Sequence, residues 1–180
     1  MYGMVNKAVE ELVISNFGEA RWEEIKAKAG IDIDVFSSNE SYPDKLTYGL
    51  VRAASDVLGL TADQILESFG EWWILKTGRE GYGELLDATG RDVGEFLENL
   101  PNFHARIVMI YPNLKPPKFD VVRTGDRSIH LHHQTHRPGL TQFVVGLLKG
   151  IGKMFKTPVT VEIVKSRAQG AEHDEFLTRW

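Results

Sequence analysis

An α+β fold follows from two changes of period along this chain. Through roughly the first 110 residues apolar side chains recur at helical spacing, and from Phe119 the spacing becomes two. A further helical run then interrupts the alternating segments, giving helices first and afterwards a small antiparallel sheet with a helix inserted. The regular strand–helix alternation of a wound parallel sheet is absent.

Each element has its own signal. Val5, Ala8, Val9 and Leu12 make one apolar stripe on a first helix. Gly18 and Gly30 bracket a second that carries Trp22, Ile25 and Ala29, with Gly30 as its stop. The stretch from Ile31 to Asp44 reads as loop. Leu46, Leu50, Ala53, Ala54 and Val57 share a face of a third helix, ended by Gly59. Thr61-Ala62-Asp63-Gln64 is a capping box that opens a fourth, with Ile65, Phe69, Trp72 and Trp73, before Gly78 breaks it. Gly81–Ala88 and Val93–Leu100 are short amphipathic segments. Pro101 separates the second of these from a helical run over His104–Ile110, which Pro112 ends. Lys115-Pro116-Pro117-Lys118 is extended. Phe119, Val121 and Arg123 alternate up to the turn Thr124-Gly125-Asp126-Arg127, and Ser128–His133 returns. A helix over about Leu140–Phe155, an alternating Val159, Val161 and Ile163, and a last strand within Asp174–Trp180 complete the chain.

Composition narrows the function. The 180 residues carry 21 Lys+Arg against 25 Asp+Glu, a net charge of −4, with 42% hydrophobic and 26% charged residues. No basic stripe suits a nucleic acid. No apolar run approaches a membrane span, and acids within the first twelve positions exclude a signal peptide; a cytoplasmic protein is expected. There is no cysteine, which removes thiolate ligation, iron–sulfur clusters and cysteine nucleophiles together. Glycine-rich nucleotide loops and a GxSxG elbow are missing as well.

Histidine remains for metal or acid–base chemistry. All six histidines lie at or beyond position 104, and four fall within His130–His136. His104, Ile107, Val108 and Tyr111 share a helical face, so the His104 ring points inward, either as a hydrogen-bonded core histidine or as a single axial ligand to a haem. On the returning strand His130 and His132 face one way, and Ile129, Leu131 and His133 the other. His130 and His132 make a zinc half-site that His136 would complete. The alternative is a solvated polar face, favoured because no neighbouring carboxylate finishes a hydrolase-type site. His133, Thr135 and Arg137, spaced by two, line one side of the strand and its exit and suit an anion such as a carboxylate. Trp72, Trp73 and Phe143 default to core.

Taken in order, Met1-Tyr2-Gly3, Trp22, the AASDVLG stretch ending at Gly59, Phe69-Gly70, Gly81-Tyr82, Asn99-Leu100 followed by His104, Tyr111-Pro112, Pro116-Pro117, Leu131-His132, Arg137, Gly139-Leu140 and His173 resemble the H-NOX family across essentially the whole chain. These are the haem–nitric oxide/oxygen binding domains related to the haem domain of soluble guanylate cyclase. The resemblance implies one domain over 1–180, with a distal helical lobe (1–60), a proximal α+β lobe (61–180) and haem b between them. It implies that His104 is the proximal iron ligand and that Pro117 presses on the porphyrin. Arg137 matches the arginine of the family's Tyr-x-Ser-x-Arg propionate motif. This chain departs from the motif, with His133 at the Tyr position and Thr135 at the Ser position; both keep a hydrogen-bond donor.

Around the gas site the resemblance places Phe143 where oxygen-binding members carry a tyrosine. Trp73 and the small apolar Val5 also fall in the distal pocket, and Tyr2 is counted among the haem-contacting residues. It therefore implies a sensor for nitric oxide that also binds carbon monoxide and disfavours oxygen. Signalling would follow weakening of the Fe–His bond and a shift of the helix bearing His104. The chain has no kinase or cyclase region, so no enzyme activity is expected, and a histidine kinase or a diguanylate cyclase is the expected effector. A zinc hydrolase on His130, His132 and His136 and a haem module without signalling are the alternatives.

Overall fold

A computed structural model describes residues 1–111 and 114–180. Among the described residues eight α-helices and four strands follow in the order α1 (Gly3–Phe17), α2 (Glu19–Ala29), α3 (Asp44–Leu58), α4 (Ala62–Trp72), α5 (Gly78–Asp87), α6 (Val93–Glu98), α7 (Leu100–Ile110), β1 (Lys118–Gly125), β2 (Ser128–Gln134), α8 (Thr141–Met154), β3 (Thr160–Lys165) and β4 (Asp174–Arg179). The α+β reading holds. Pro112, expected to end the helix of His104, lies outside the described residues.

Two expected boundaries move. The helix of His104 begins at Leu100, with Pro101 in its first turn, where the missing N–H costs nothing. Gly78 does not break the fourth helix. A π-helical turn, Trp73–Thr77, joins α4 to α5, and Gly78 keeps right-handed helical angles. The chain bends instead at Tyr82, with φ −154° and ψ 42°. The capping box at Thr61 and Gln64 forms as expected.

The four strands form one antiparallel sheet in the order β1-β2-β4-β3. One apolar core lies among α1 to α4, around Trp22, Ile25, Leu50 and Phe69. A second lies between the sheet and α5 to α8, around Phe96, Leu97, Ile129, Leu131 and Phe176. Trp73 packs against both, so the π-helical turn sits where the two meet.

Helix α8 lies backbone to backbone against α4. A Cβ at Gly146 would stand 2.0 Å from the Glu67 carbonyl oxygen, and one at Gly70 would stand 2.2 Å from that of Phe143. Lys149 Nζ donates to Glu67 Oε1 at 2.5 Å beside this crossing. The absence of side chains there brings Phe143 and Trp73 within 6.5 Å of each other.

Candidate functional site

A cavity of about 270 Å³ opens between these two cores. Its wall gathers every residue singled out for cofactor binding: Tyr2, Val5, Trp73, His104, Pro117, His133, Thr135, Arg137 and Phe143. They come from α1 and the Tyr2 that precedes it, the π-helical turn, α7, the extended 114–117 segment, β2, the loop after it and α8.

His104 sits on the wall contributed by α7. Its Nδ1 is buried and has no hydrogen-bond partner, which sets aside the satisfied core histidine. Burial, with a smaller push from His133, lowers its pKa to about 4. The ring is therefore neutral near pH 7, the form that binds a metal. It stacks on Phe119 of β1, with centroids 5.4 Å apart and planes at 11°. Phe119 stacks in turn on His133 at 5.2 Å, so aromatic rings run from α7 through β1 to β2.

The distal side is aromatic as well. Phe143 lies 5.2 Å from Phe69, and Phe69 meets Trp73 edge-on at 6.0 Å. Phe69 and Phe143 present only carbon to one another and to Trp73, whose indole N–H is the one polar atom of the three rings. Neither Trp72 nor Trp73 is fully buried.

At the mouth, Arg137 is fixed from several directions. Its Nε donates to Asp44 Oδ2 at 2.8 Å, its Nη1 to the Lys115 carbonyl, and its backbone N–H to Thr135 Oγ1. Asp44, the first residue of α3, also accepts from the Met1 ammonium at 2.6 Å. Burial raises the Asp44 pKa, but hydrogen bonds from that ammonium and from Arg137 outweigh it and hold the carboxyl below its usual range. Tyr48 Oη donates to the Pro138 carbonyl at 2.8 Å, tying α3 to the same loop. Arg167 Nη1 donates to the Thr135 carbonyl at 2.9 Å.

His133 is buried on the inner face of β2. Asp174 Oδ2 is 3.5 Å from its Nδ1, without hydrogen-bond alignment. Burial lowers the His133 pKa and Asp174 only partly offsets this. Asp174 spends its other contacts on Thr141 Oγ1 and the Arg167 N–H. Sequence reasoning missed Asp44, Tyr48 and Asp174. Tyr82, named only as part of the family resemblance, also lines the cavity, packs on Phe103 of α7 at 6.1 Å and has its hydroxyl pKa pushed up by burial. No local pattern marks any of them.

The proposed zinc ligands separate. His136 is exposed beyond the strand. The group of three potential ligands among the described residues is His130, His132 and Glu175. The expectation that no carboxylate lies near these histidines is thus corrected by a residue of the neighbouring strand.

The residues fit a haem by their chemistry: a neutral imidazole with an unpartnered buried nitrogen, an apolar cavity, and an arginine with a hydroxyl at its mouth. Residues 2–163 match the family model described as haem-NO-binding. Soluble guanylate cyclase gcy-32 of Caenorhabditis elegans is 33% identical over 177 residues, 96% of this chain and 26% of that protein. Soluble guanylate cyclase gcy-34 of the same organism is 32% identical with the same coverage. The chain thus spans about a quarter of the length of these relatives. The H-NOX protein of S. oneidensis in its Fe(II)NO ligation state superposes with a TM-score of 0.90 over 99% of this chain and 98% of that one, at 18% identity. The unliganded Fe(II) H-NOX protein of K. algicida gives 0.83 at 22% identity, over 99% and 96%. Among the described residues no helix is long and apolar enough to cross a membrane. With most of its length matched by the family model, the chain belongs to the haem-NO-binding family, the H-NOX domains.

Proposed function

We propose that this domain holds haem b in the cavity through His104, senses nitric oxide and carbon monoxide while disfavouring oxygen, and passes the signal to a partner protein. The observation that carries the reading is the neutral, unpartnered His104 ring on the wall that also gathers Arg137, Thr135, Pro117, Trp73 and Phe143. When bound, ferrous haem supplies an open coordination position for a diatomic gas.

The chain's residues do the rest. His104 would tether α7 to the cofactor as its one protein ligand. Arg137 and Thr135 offer charge and a hydroxyl to the propionates, and neutral His133 offers one N–H. Pro117 presents a rigid ring to the cavity. Val5, Phe143, Trp73 and Tyr2 close the rest of the wall. Oxygen as a ligand would gain from a hydrogen-bond donor, which Phe143 and Phe69 do not supply, while Trp73, despite its indole N–H, serves by its bulk to narrow the pocket; nitric oxide would not depend on a donor.

A weaker tether at His104 would leave α7 freer to move. The ring stack through Phe119 and His133 couples that helix to the sheet, while Met109 and Ile110 stand 82% and 58% exposed at its end. Such a signal is a population shift between two placements of α7. A histidine kinase or a diguanylate cyclase is the effector we assign to it.

Absorption spectra of the reduced protein with each gas test the reading. A Soret band that responds to nitric oxide and carbon monoxide, without a stable oxy form in air, is expected. A stable oxy spectrum refutes the selectivity. His104→Gly is expected to lose the native spectrum and regain it with added imidazole; an unaltered spectrum without imidazole refutes the ligand.

A further inference from the structure

The outer face of the sheet carries a second cluster that the cavity does not use. His130 and His132 share that face of β2. Glu175 of β4 pairs with His132 in register, and His173 lies just before β4. Glu175 is only 4% exposed. Its Oε2 stands 3.2 Å from His130 Nε2, and its Oε1 stands 3.7 Å from His132 Nδ1 and 3.3 Å from His173 Nε2. His132 Nδ1 and His173 Nε2 are 3.0 Å apart.

Two features go beyond polar neighbours on a sheet. His130 Nε2 is buried with no hydrogen-bond partner, because its approach to Glu175 lacks the alignment for one. The spacings also suit a small ion. Ligands about 2.1 Å from a tetrahedral zinc lie about 3.4 Å from one another; Glu175 Oε2 stands 3.2 Å from His130 Nε2, and one ligand atom from each of His130, His132 and Glu175 lies within 4.8 Å of the other two.

The geometry points to a divalent transition-metal site of zinc type, with His130, His132 and Glu175 as its protein ligands, solvent in the fourth position and His173 beside His132. Imidazole nitrogens with one carboxylate suit zinc and exclude magnesium or calcium, which take oxygen. Lys165 Nζ holds Glu175 Oε1 at 2.8 Å, but its side chain is 59% exposed and swings to water when the ion enters. Glu175 Oε2, beside the unpartnered His130 nitrogen, is the oxygen left open. The site stands independently of the haem reading, since it lies on the opposite face of β2 from His133.

Untagged haem-loaded protein, freed of metal by a chelator, is titrated with zinc against a chromogenic competitor. One zinc per chain is expected, weakened about 100-fold or more in His130→Ala and in His132→Ala and unchanged in His136→Ala. Cobalt in its place gives the visible bands of a four-coordinate ion. Far-UV circular dichroism and the haem absorption confirm that the variants fold. Zinc bound at less than one equivalent, or bound by either histidine variant as tightly as by the parent, overturns the proposal.

Discussion

Substituting Gly146 by alanine tests whether the contact of α4 with α8 shapes the cavity. The new Cβ would lie 2.0 Å from the Glu67 carbonyl oxygen, short of van der Waals contact by roughly 1.4 Å. The obstacle is backbone, and Gly70 against Phe143 closes the same crossing, so no side chain can rotate away and the helices must part. Overpacking of this kind costs about 1–3 kcal/mol, and a backbone obstacle belongs at the upper end. A loss of about 3 kcal/mol lowers Tm by roughly 6–12 °C in a chain of this size. The control is Gly49→Ala within α3, where nothing lies within 4 Å of the added Cβ. Replacing a helical glycine there stabilises by about 0.4–1 kcal/mol. Thermal unfolding followed at 222 nm compares both variants with the parent. The same chemical change should move Tm in opposite directions; if Gly146→Ala is as stable as Gly49→Ala, the close crossing is not what holds α8 in place.

Other outcomes follow from the cavity wall. Arg137→Ala removes a charged donor worth about 1.5–3 kcal/mol, so haem transfer to apomyoglobin should accelerate about 10- to 100-fold; an unchanged rate removes Arg137 from the clamp. His133→Phe keeps the stack on Phe119 but no N–H. It should leave the unfolding free energy within about 1 kcal/mol of the parent while speeding haem loss about 2- to 10-fold, and equal loss rates mean that His133 only packs. Phe143→Tyr places a hydroxyl on the distal wall, so an oxy spectrum should persist at least about 10-fold longer in air; no change in lifetime denies Phe143 its place beside the gas. Thr61→Ala removes the α4 cap and should cost about 1 kcal/mol in urea unfolding, with no loss indicating that α4 is held by packing alone.

What was legible in the sequence is what short range determines. The caps at Thr61, Gly30 and Gly59 and the change of period at Phe119 each lie within a few residues of their cause. Alternation along β2 put His133 on the inner face and His130 and His132 on the outer one. Sequence distance hid the rest. Asp44 positions Arg137 from 93 residues away, and β4 enters between β2 and β3 only because β2 pairs with it over six consecutive residues. Gly78 misled for a subtler reason. It reads as a breaker, yet its angles are helical, and a Cβ there would come within 3.0 Å of the Trp73 carbonyl oxygen and 3.2 Å of Leu86. Glycine is present at that position for space rather than for a turn.

Register explains how one histidine-rich strand serves two surfaces. In β2 the pairing partners alternate strictly, from Ser128 opposite Arg179 to His133 opposite Asp174. A slip of one residue would carry His130 and His132 into the core and turn His133, Leu131 and Ile129 outward. Ile129 and Leu131 are fully buried, and exposing both would forfeit about 3–6 kcal/mol. That cost holds the register firmly enough for His132 and His133, adjacent in sequence, to meet different partners. His133 joins the ring stack that reaches His104, while His132 meets Glu175 and His173 on the outer face. The crowding of histidines in the second half is thus divided by the pleat of one strand between the cavity and the sheet's outer surface.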